Sequence, residues 1–568
     1  MPENARGGLT PGEMESIGLV RDAQGRYRIP IPERANIAAD TVAKHAAGPR
    51  SGHPALVFEA DDGTLRRWTF AELDRAAGAF ARGLALLGVR RGDPVGVHTG
   101  QRPETAIAHL AVYKLGAIVV TLSQLYGPET LRHILGDCAL RAIVTEPAAV
   151  DGWLALGTEL GVPMRLVTTE RHPAAAADFA GLLDAGSEGL EPAATQAADP
   201  ALLMYTSGST GKPKGLLHGH RILHAYLPTV SLFYNLEMQD RDCVFWTPAD
   251  WAWVGGLLDL VLPAWFHGQT VVASQHRFDQ DWAVDFMARH CVTHVFMTPT
   301  GLKRLAETGD PRSRHALALR VICTGGESLP SEIVRWCEDK LGAVCNEFYG
   351  LTEFNHLVGN CKRLYPIRAG SMGRTYPGHA TALVDESGNP VPVGEVGEIV
   401  STTDDPTLFL GYWGDPGVPE RLRLGANLLR TGDLARQDAD GYFWYQGRND
   451  DLIKSAGYRI GPAEVEDALV THPYVAEAAV IGSPDAARGA IVKAYVRLRH
   501  GVAPSAELVR NLQDYVKTNL AAYKYPREIE FVDEFPLTSS GKIRRAELRR
   551  RNLEAVAAHA ASPPPAAA

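Results

Sequence analysis

Apolar positions along the first 400 residues alternate between two spacings. Residues 69–89 carry apolar side chains at helical spacing, and Thr69 with Glu72 has the pattern of a capping box. Short apolar runs between such segments are typical of buried strands: AIVVTL, RAIVTE, VPMRLVTT, TVVAS, THVFMTP and LRVICTGG. Strands that alternate with helices predict an α/β fold of doubly wound, parallel sheets covered on both faces.

The pattern changes at about Ala380, where short strands and turns predict a β-rich, antiparallel subdomain. A polar, turn-prone joint follows Arg448, and a helical pattern then opens a small α+β unit. We therefore predict a large N-terminal domain over residues 1–449 and a small α+β C-terminal domain over residues 450–555. The low-complexity end, residues 556–568, predicts a disordered tail.

Length, charge and cysteine usage narrow the class of protein. A chain of 568 residues is too long to fold around one hydrophobic core, so we expect at least two domains. A formal net charge of -9 argues against general binding to nucleic acid, which needs a basic surface. Seven scattered cysteines without a CxxC pair indicate reduced thiols, as in the cytoplasm, rather than disulfides or a zinc site. No signal peptide and no transmembrane helix are predicted.

The stretch YTSGSTGKPKG, residues 205–215, has the composition of a phosphate-binding loop. Its glycines let backbone N–H groups turn inward around an anion, and its hydroxyls and lysines add donors and charge. A Walker-type P-loop needs a hydroxyl residue after its lysine and a wider glycine spacing, whereas Pro213 follows Lys212 here. Composition alone leaves two readings open, a different kind of phosphate loop and a flexible surface turn.

Six further motifs follow in order along the chain. They are TGGE at 324–327, EFYGLTE at 347–353, GYWGDP at 411–416, RTGDL at 430–434, GYFWYQGRNDDLIKSAGYRIGPAEVE at 441–466 and PLTSSGKIRRAEL at 536–548. Together with the loop they resemble the AMP-forming acyl-CoA synthetases of the acyl-adenylating superfamily, in the acetyl and medium-chain branch. The resemblance implies ATP, Mg²⁺ and coenzyme A. It also implies two half-reactions, in which a carboxylate attacks the α-phosphate of ATP and a thiol then displaces AMP.

The resemblance assigns a nucleotide site. Thr352 is expected to contact an α-phosphate oxygen and Glu353 to bind Mg²⁺, so both are expected to be catalytic. Asp433 is expected to accept hydrogen bonds from the ribose hydroxyls. For Glu327, a place beside the adenine and a structural hydrogen bond both stay open. The full ATP- and AMP-binding set is Thr206, Ser207, Gly208, Ser209, Thr210, Gly211, Lys212, Gly325, Gly326, Glu327, Tyr349, Gly350, Thr352, Asp433 and Arg448.

The resemblance also implies that the C-terminal domain is mobile. In relatives this domain rotates between an adenylating pose and a thioester-forming pose, and Asp450 is expected to be the hinge. Lys542, in SSGKIRR, is expected to be the catalytic lysine that reaches the carboxylate and the α-phosphate in the first pose. Gly457, Tyr458 and Arg459 are expected to bind coenzyme A in the second pose.

Small residues at the expected acyl pocket indicate an acid larger than acetate. Acetate-specific relatives have a tryptophan at the position of Gly350, and short-chain relatives have a branched residue at that of Gly325, so both glycines are expected to open volume. Trp253, Val254 and Gly255 are expected to line the wall, where apolar contact is worth about 0.8 kcal/mol per buried methylene. Core packing is the alternative for Trp253. We expect a medium-chain, branched or small aromatic carboxylic acid.

Three functions fit such a chain. A carboxylate–CoA ligase has a small-molecule acid, ATP and coenzyme A as partners, with no nucleic acid and no integral membrane segment. An adenylate former that loads a carrier-protein thiol is the alternative, and no carrier domain is visible in the sequence. A catalytically dead sensor predicts losses at Glu353 or Lys542, and neither is lost. We therefore predict the ligase, with a homodimer as an open alternative to a monomer.

Overall fold

The computed structural model describes residues 10–206, 213–239, 241–456, 458–485, 488–521, 523–537 and 543–561. Within these residues the predicted α/β class is confirmed. Two nine-stranded sheets, a smaller antiparallel sheet and a C-terminal sheet carry the described part of the chain. A two-stranded ribbon of Val20–Arg21 and Tyr27–Arg28 precedes them.

The first large sheet holds the hairpin that flanks the predicted phosphate loop. Its described strands lie in the order Asp415–Pro416, Gly411–Tyr412, Lys214–Gly219, Pro200–Thr206, Ile118–Thr121, Pro94–His98, Ala142–Thr145, Leu166–Thr168 and Ala177–Asp178. From Pro200–Thr206 onward neighbouring strands are parallel, whereas Lys214–Gly219 returns antiparallel. The parallel strands are buried on both faces, which is why they read as continuous apolar runs.

The second large sheet carries the TGGE and YGLTE motifs. Its described strands lie in the order Arg374–Thr375, Asn355–Gly359, Val344–Leu351, Val321–Gly325, His294–Phe296, Val244–Trp246, Thr270–Ala273, Pro54–Glu59 and Leu65–Thr69. Val321–Gly325 and Val344–Leu351 run parallel and side by side. Because the carboxyl ends of parallel strands meet at one edge of a sheet, both motifs open at the same edge, where open α/β sheets bind their ligands.

Helices cover these sheets. The predicted capping box of the helix Phe70–Leu86 is confirmed, since the N–H of Glu72 donates to the Thr69 hydroxyl at 3.2 Å and the N–H of Thr69 donates to the Glu72 carboxylate at 2.9 Å. No described helix is long and apolar enough to cross a membrane. The other α-helices before residue 450 are Pro11–Ser16, Lys44–Ala46, Pro103–Leu115, Pro128–Asp137, Val150–Leu160, Phe179–Ala185, Ile222–Phe233, Val254–Gly256, Leu262–Phe266, Gln280–Arg289, Pro299–Ala306 and Ser331–Trp336.

The β-rich subdomain follows as predicted and is antiparallel. Its described strands lie in the order Ala382–Val384, Val396–Thr402, Leu428–Gln437 and Arg423–Leu424, with Phe443–Arg448 also paired to Leu428–Gln437. The last pairing brings the RTGDL and GYFWYQGR motifs together, because Asp433 lies opposite Arg448.

The C-terminal unit combines a sheet with three described α-helices. The strands are Ile453–Ser455, Tyr458–Ile460, Val475–Asp485, Gly489–Leu498 and Glu528–Phe531, and the helices are Pro462–Val470, Ala506–Asn519 and Arg545–Ala561. The last helix includes residues 556–561, where the sequence predicts a disordered tail. Alanine is the strongest helix former, and AVAAHAA lies in this helix. Residues 562–568 lie outside the described residues.

Candidate active site

The two ends of the predicted phosphate loop lie on one antiparallel hairpin. Thr206 ends the strand Pro200–Thr206 and lies opposite Lys214, which begins Lys214–Gly219. The predicted loop residues 207–212 lie outside the described residues. Thr206 is half-buried and Lys214 is exposed. The strand pairing therefore fixes both ends of the loop at one end of the hairpin.

A tyrosine on the neighbouring strand joins this hairpin to the YGLTE turn. Tyr412 belongs to Gly411–Tyr412, which pairs with Lys214–Gly219. Its hydroxyl donates to Oε1 of Glu353 at 3.0 Å, and Nζ of Lys214 lies 5.2 Å from its ring centroid. Burial and the Glu353 carboxylate raise the pKa of Tyr412 to about 12, so the phenol stays protonated. Lys214, which follows the loop, and Glu353, the predicted metal ligand, thus both contact Tyr412.

The YGLTE motif ends the strand Val344–Leu351 in a turn. Tyr349 is buried, and its hydroxyl donates to Oδ2 of Asp433 at 2.7 Å. Burial and the Asp433 carboxylate raise the pKa of Tyr349. Thr352 and Glu353 are half-buried in the turn that follows. One short segment thus presents a phenol to Asp433 and then the two predicted catalytic residues.

Asp433 lies at the centre of a polar cluster and is 5% exposed. Its Oδ2 accepts from Tyr349, and its Oδ1 accepts from the hydroxyl of Tyr445 at 3.1 Å. Nη1 of Arg448 lies 3.6 Å from the same Oδ1, and Nε of Arg448 donates to Oδ1 of Asp450 at 3.1 Å. The structure therefore brings together three predicted nucleotide residues and adds Tyr445, which the sequence reasoning missed.

Glu327 makes structural hydrogen bonds. Its Oε2 accepts from the hydroxyl of Thr300 at 2.6 Å and from the N–H of Thr300 at 3.3 Å. Thr300 lies in the first turn of the helix Pro299–Ala306, whose N–H groups have no partner within the helix. Gly326 precedes Glu327 with φ +89, a conformation that favours glycine. Of the two readings of Glu327, the structure shows the hydrogen bonds to the helix start.

Gly350 does not open volume on the side where a side chain would project. A Cβ added there would lie 2.1 Å from the carbonyl oxygen of Asn355. Asn355 begins the strand that pairs back onto Gly350, and its φ is +61. The expectation of open space at Gly350 is therefore wrong, because the glycine admits the close approach of the returning chain. Its place in an acyl pocket stays a prediction.

Aromatic rings fill the space beside the other two pocket glycines. A Cβ on Gly325 would lie 2.8 Å from both the ring and the carbonyl oxygen of Phe348, which contradicts the expected open volume there too. A Cβ on Gly255 would lie 2.3 Å from the ring of Phe296. The two rings are 6.0 Å apart, and we call them the phenylalanine pair. Two buried aromatic rings thus lie against two of the glycines that are predicted to line the acyl pocket.

The predicted wall tryptophan lies at the edge of the core. Trp253 is half-buried and meets Tyr126 edge-on at 5.6 Å, whereas Trp251 is 2% exposed in the core. Val254 and Gly255 begin the short helix Val254–Gly256 and are half-buried. Accessible surface at Trp253, Val254 and Gly255 is compatible with the predicted lining role.

The predicted coenzyme A and hinge residues follow the cluster directly. Asp450 is exposed in the turn Asn449–Asp451. Tyr458 begins the strand Tyr458–Ile460, which includes Arg459, and its ring stacks on Tyr523 at 4.2 Å. Predicted residues Gly457 and Lys542 lie outside the described residues.

Family models match both parts of this chain. The model described as AMP-binding enzyme matches residues 42–413, and the model described as AMP-binding enzyme C-terminal domain matches residues 464–542. This chain belongs to the AMP-binding enzyme family. The resemblance to AMP-forming acyl-CoA synthetases is thereby confirmed, and with it the predicted class of acid–thiol ligase.

Similarity to members of this family extends along nearly the whole chain. Identity is 35% over 529 residues to the uncharacterized acyl–CoA ligase YtcI of Bacillus subtilis, covering 92% of this chain and 96% of YtcI. Identity is 32% over 538 residues to the acetyl-coenzyme A synthetase of the same organism, covering 91% of each chain. The structure of the anthranilate CoA ligase AuaEII in complex with anthranoyl-AMP has a TM-score of 0.83 and 29% identity, covering 93% of this chain and 99% of that one.

The family implies Mg²⁺, and Glu353 is the one carboxylate that is predicted to bind it. Glu353 is half-buried, and Tyr412 holds one of its oxygens. Within the described residues no group of three His, Cys, Asp or Glu side chains could hold a metal ion. The single carboxylate of Glu353 is of the kind that Mg²⁺ uses, since this ion binds through one or two carboxylates together with substrate phosphates.

Proposed function

We propose that this member of the AMP-binding enzyme family is a carboxylate–CoA ligase that uses ATP. The first half-reaction gives an acyl-adenylate and pyrophosphate, and the second gives acyl-CoA and AMP. One observation carries the proposal: the Asp433 carboxylate accepts from Tyr349 and Tyr445 beside Arg448. A carboxylate held by donors on both oxygens suits the two hydroxyls of a ribose, which is what an adenylate-forming enzyme must hold.

In the first half-reaction, the acid attacks the α-phosphate and negative charge builds up on the phosphate oxygens. We assign to Thr352, Lys542 and the loop at 206–212 the role of stabilising that negative charge. Asp433 and Arg448 hold the ribose, so that the α-phosphate meets the acid in one orientation. Mg²⁺ at Glu353 supplies neutralisation of the ATP phosphates when it is bound.

In the second half-reaction, a thiol attacks the acyl carbon and AMP leaves. We assign Asp450 as the hinge that lets the C-terminal domain change its pose. The hairpin of Ile453–Ser455 and Tyr458–Ile460 follows that hinge directly, so rotation moves it as a unit. Its turn and the adjoining Tyr458 and Arg459 are assigned to coenzyme A.

The acid belongs to the predicted range of medium-chain, branched or small aromatic carboxylates, and we favour the small aromatic acids. The phenylalanine pair supports this choice, because offset or edge-on packing of rings is worth about 0.5–1.5 kcal/mol beyond buried area. The filled space at Gly325 and Gly350 disfavours a long alkyl tunnel on that side.

A cytoplasmic location is part of the proposal. All seven cysteines lie in the described residues and are free thiols, and six of them are buried. Free thiols are typical of a reducing compartment.

AMP release tests the ligase. Purified protein would be given Mg²⁺, ATP, coenzyme A and one acid from a panel of acetate, butyrate, isobutyrate, hexanoate, octanoate, benzoate, 2-aminobenzoate and phenylacetate. We expect release that requires both the acid and coenzyme A, with benzoate or 2-aminobenzoate best. Lys542→Ala should lower the rate by about 100-fold or more, because it removes charge at the α-phosphate.

Lys517→Ala is the matched control, because Lys517 pairs with Asp514 on the surface of the same domain. It should leave the rate unchanged. Turnover of acetate alone would refute the acid class and leave the ligase standing. Pyrophosphate release that ignores coenzyme A would refute the coenzyme A step.

A further inference from the structure

A β-bulge turns Tyr445 toward Asp433. Asp433 lies opposite Arg448 in its strand pair, and Ala435, two residues on, lies opposite Tyr445. Tyr445 and Arg448 are therefore three positions apart where a regular strand would have two. The unpaired extra residue is Gln446, and Gly447 next to it has φ +113. In a regular strand, side chains three residues apart point to opposite faces. The bulge puts both on the face that Asp433 occupies.

The phenols of Tyr445 and Tyr349 donate to different oxygens of the Asp433 carboxylate. Tyr445 donates to Oδ1 of Asp433 at 3.1 Å, and Tyr349 donates to Oδ2 at 2.7 Å. Rotation of a carboxylate about its Cβ–Cγ bond is soft, so each hydrogen bond to it restrains that rotation. A phenol on each oxygen restrains the plane of the group from both sides. A carboxylate accepts about four hydrogen bonds, so the two phenols do not by themselves saturate it.

Tyr445 is also placed to remain a donor. It packs near Tyr349, with ring centroids 6.4 Å apart, and the nearby guanidinium groups of Arg448 and Arg545, which lower its pKa, do not outweigh burial. Burial and the Asp433 carboxylate raise its pKa well above the usual value for a phenol, so it carries its proton at any working pH. A phenylalanine would fill the same space without the hydrogen bond.

We propose that Tyr445 is a positioning residue for ATP, whose hydroxyl fixes the Asp433 carboxylate in the plane that receives the ribose. The inference rests on the proposed function, since it takes Asp433 as the ribose ligand. Tyr445 itself touches no reacting atom. Its loss therefore weakens nucleotide binding and selectivity for the ribose hydroxyls, and leaves the chemical step nearly intact.

Steady-state AMP release by Tyr445→Phe tests this, with ATP, 2′-deoxy-ATP and 3′-deoxy-ATP as nucleotides. We expect the KM for ATP to rise about 10-fold, the order that a hydrogen bond to a charged group supports, and kcat to stay within about twofold. Preference for ATP over at least one deoxy analogue should shrink by about fivefold, because the carboxylate that reads that hydroxyl is no longer held. A residue that only packs would not change this preference.

Tyr442→Phe is the matched control. Tyr442 lies three residues earlier, and its hydroxyl donates to the carbonyl oxygen of Pro366, away from Asp433. It should leave the KM and the preference unchanged. Thermal unfolding of each variant reports the fold, and Tyr445→Met replaces Tyr445→Phe if that variant is unfolded.

Two negative results would overturn different conclusions, one about Tyr445 and one about the proposed function. A folded Tyr445→Phe with the wild-type KM and wild-type preference among the three nucleotides would overturn the positioning role. Wild-type protein that releases no AMP with any acid would overturn the proposed function instead. The two failures are distinguished by wild-type activity, which is measured first.

Discussion

Alanine at Gly350 distinguishes two reasons for a glycine in the YGLTE motif. If the glycine left room for an acyl chain, a methyl group would only shorten the pocket. In the structure a Cβ at this position meets the carbonyl oxygen of Asn355 at 2.1 Å, well inside the 3.0 Å that Cβ contacts respect. Relief requires the two strands to separate by about 1 Å, and the neighbour is backbone that cannot rotate away.

The cost follows from that geometry. Overpacking in a well-packed site costs about 1–3 kcal/mol, and a backbone neighbour places Gly350→Ala at about 3 kcal/mol. For a domain of about 450 residues, with an unfolding entropy of about 2.1 cal/mol/K per residue, that is a fall of roughly 3 °C in the midpoint of thermal unfolding. The same strand presents Tyr349, Thr352 and Glu353, and a 1 Å displacement of such groups can lower a rate by about 100-fold.

Thermal unfolding and AMP release with benzoate and acetate measure both effects. Gly152→Ala is the control, because Gly152 lies in the helix Val150–Leu160 and nothing is within 4 Å of an added Cβ. It should raise stability by about 0.5–1 kcal/mol and leave activity unchanged. A Gly350→Ala protein as stable as wild type, active on acetate and slow only with larger acids, would refute the close-approach argument.

Three further changes follow from the described contacts. Tyr412→Phe removes the hydroxyl that holds Glu353, so the Mg²⁺ concentration for half-maximal AMP release should rise about threefold, and an unchanged Mg²⁺ titration would contradict this. Burial and neighbouring Glu466 raise the pKa of Asp467 from 3.8 to about 7, so the folded state holds this proton more tightly than the unfolded state. Wild type therefore loses stability as pH rises from about 4 to 7, and Asp467→Asn should unfold at a higher temperature than wild type at pH 8 but not at pH 4; equal midpoints at pH 8 would count against it. Phe296→Ala removes one ring of the phenylalanine pair, so the kcat/KM ratio of octanoate to benzoate should rise about 10-fold, and a ratio that stays constant would exclude this ring from the acyl site.

The parts of the site that could be predicted from the sequence are those that lie within one motif. Asp433 is in RTGDL and Arg448 is in GYFWYQGR, and the second of these motifs reads as a strand of an antiparallel unit. Short strands with close turns predict such a sheet, and strand pairing then brings the two residues opposite each other. The capping box at Thr69 is local as well, and the structure contains it.

The parts that could not be predicted depend on irregular backbone or on distant neighbours. Counting by twos along GYFWYQGR places Tyr445 and Arg448 on opposite faces, and only the bulge reverses this. The sequence shows that a glycine has no side chain, but it does not show which neighbouring group occupies the space where a side chain would lie. At Gly350 that group is the carbonyl of Asn355, and at Gly255 it is the ring of Phe296, which is far away in the chain.

Arg448 is the residue at which the nucleotide site and the proposed hinge meet. Its guanidinium faces Asp433 through Nη1 and donates to Asp450 through Nε. These nitrogens belong to one rigid plane, so the guanidinium cannot follow one partner without changing its contact with the other. Arg448 ends the strand Phe443–Arg448, which stays in its sheet, whereas Asp450 lies in the turn that would rotate. A domain rotation at Asp450 would therefore break the contact between Arg448 and Asp450 and leave Asp433 as the remaining carboxylate beside the guanidinium. The pose of the C-terminal domain would in this way affect how the site binds the ribose.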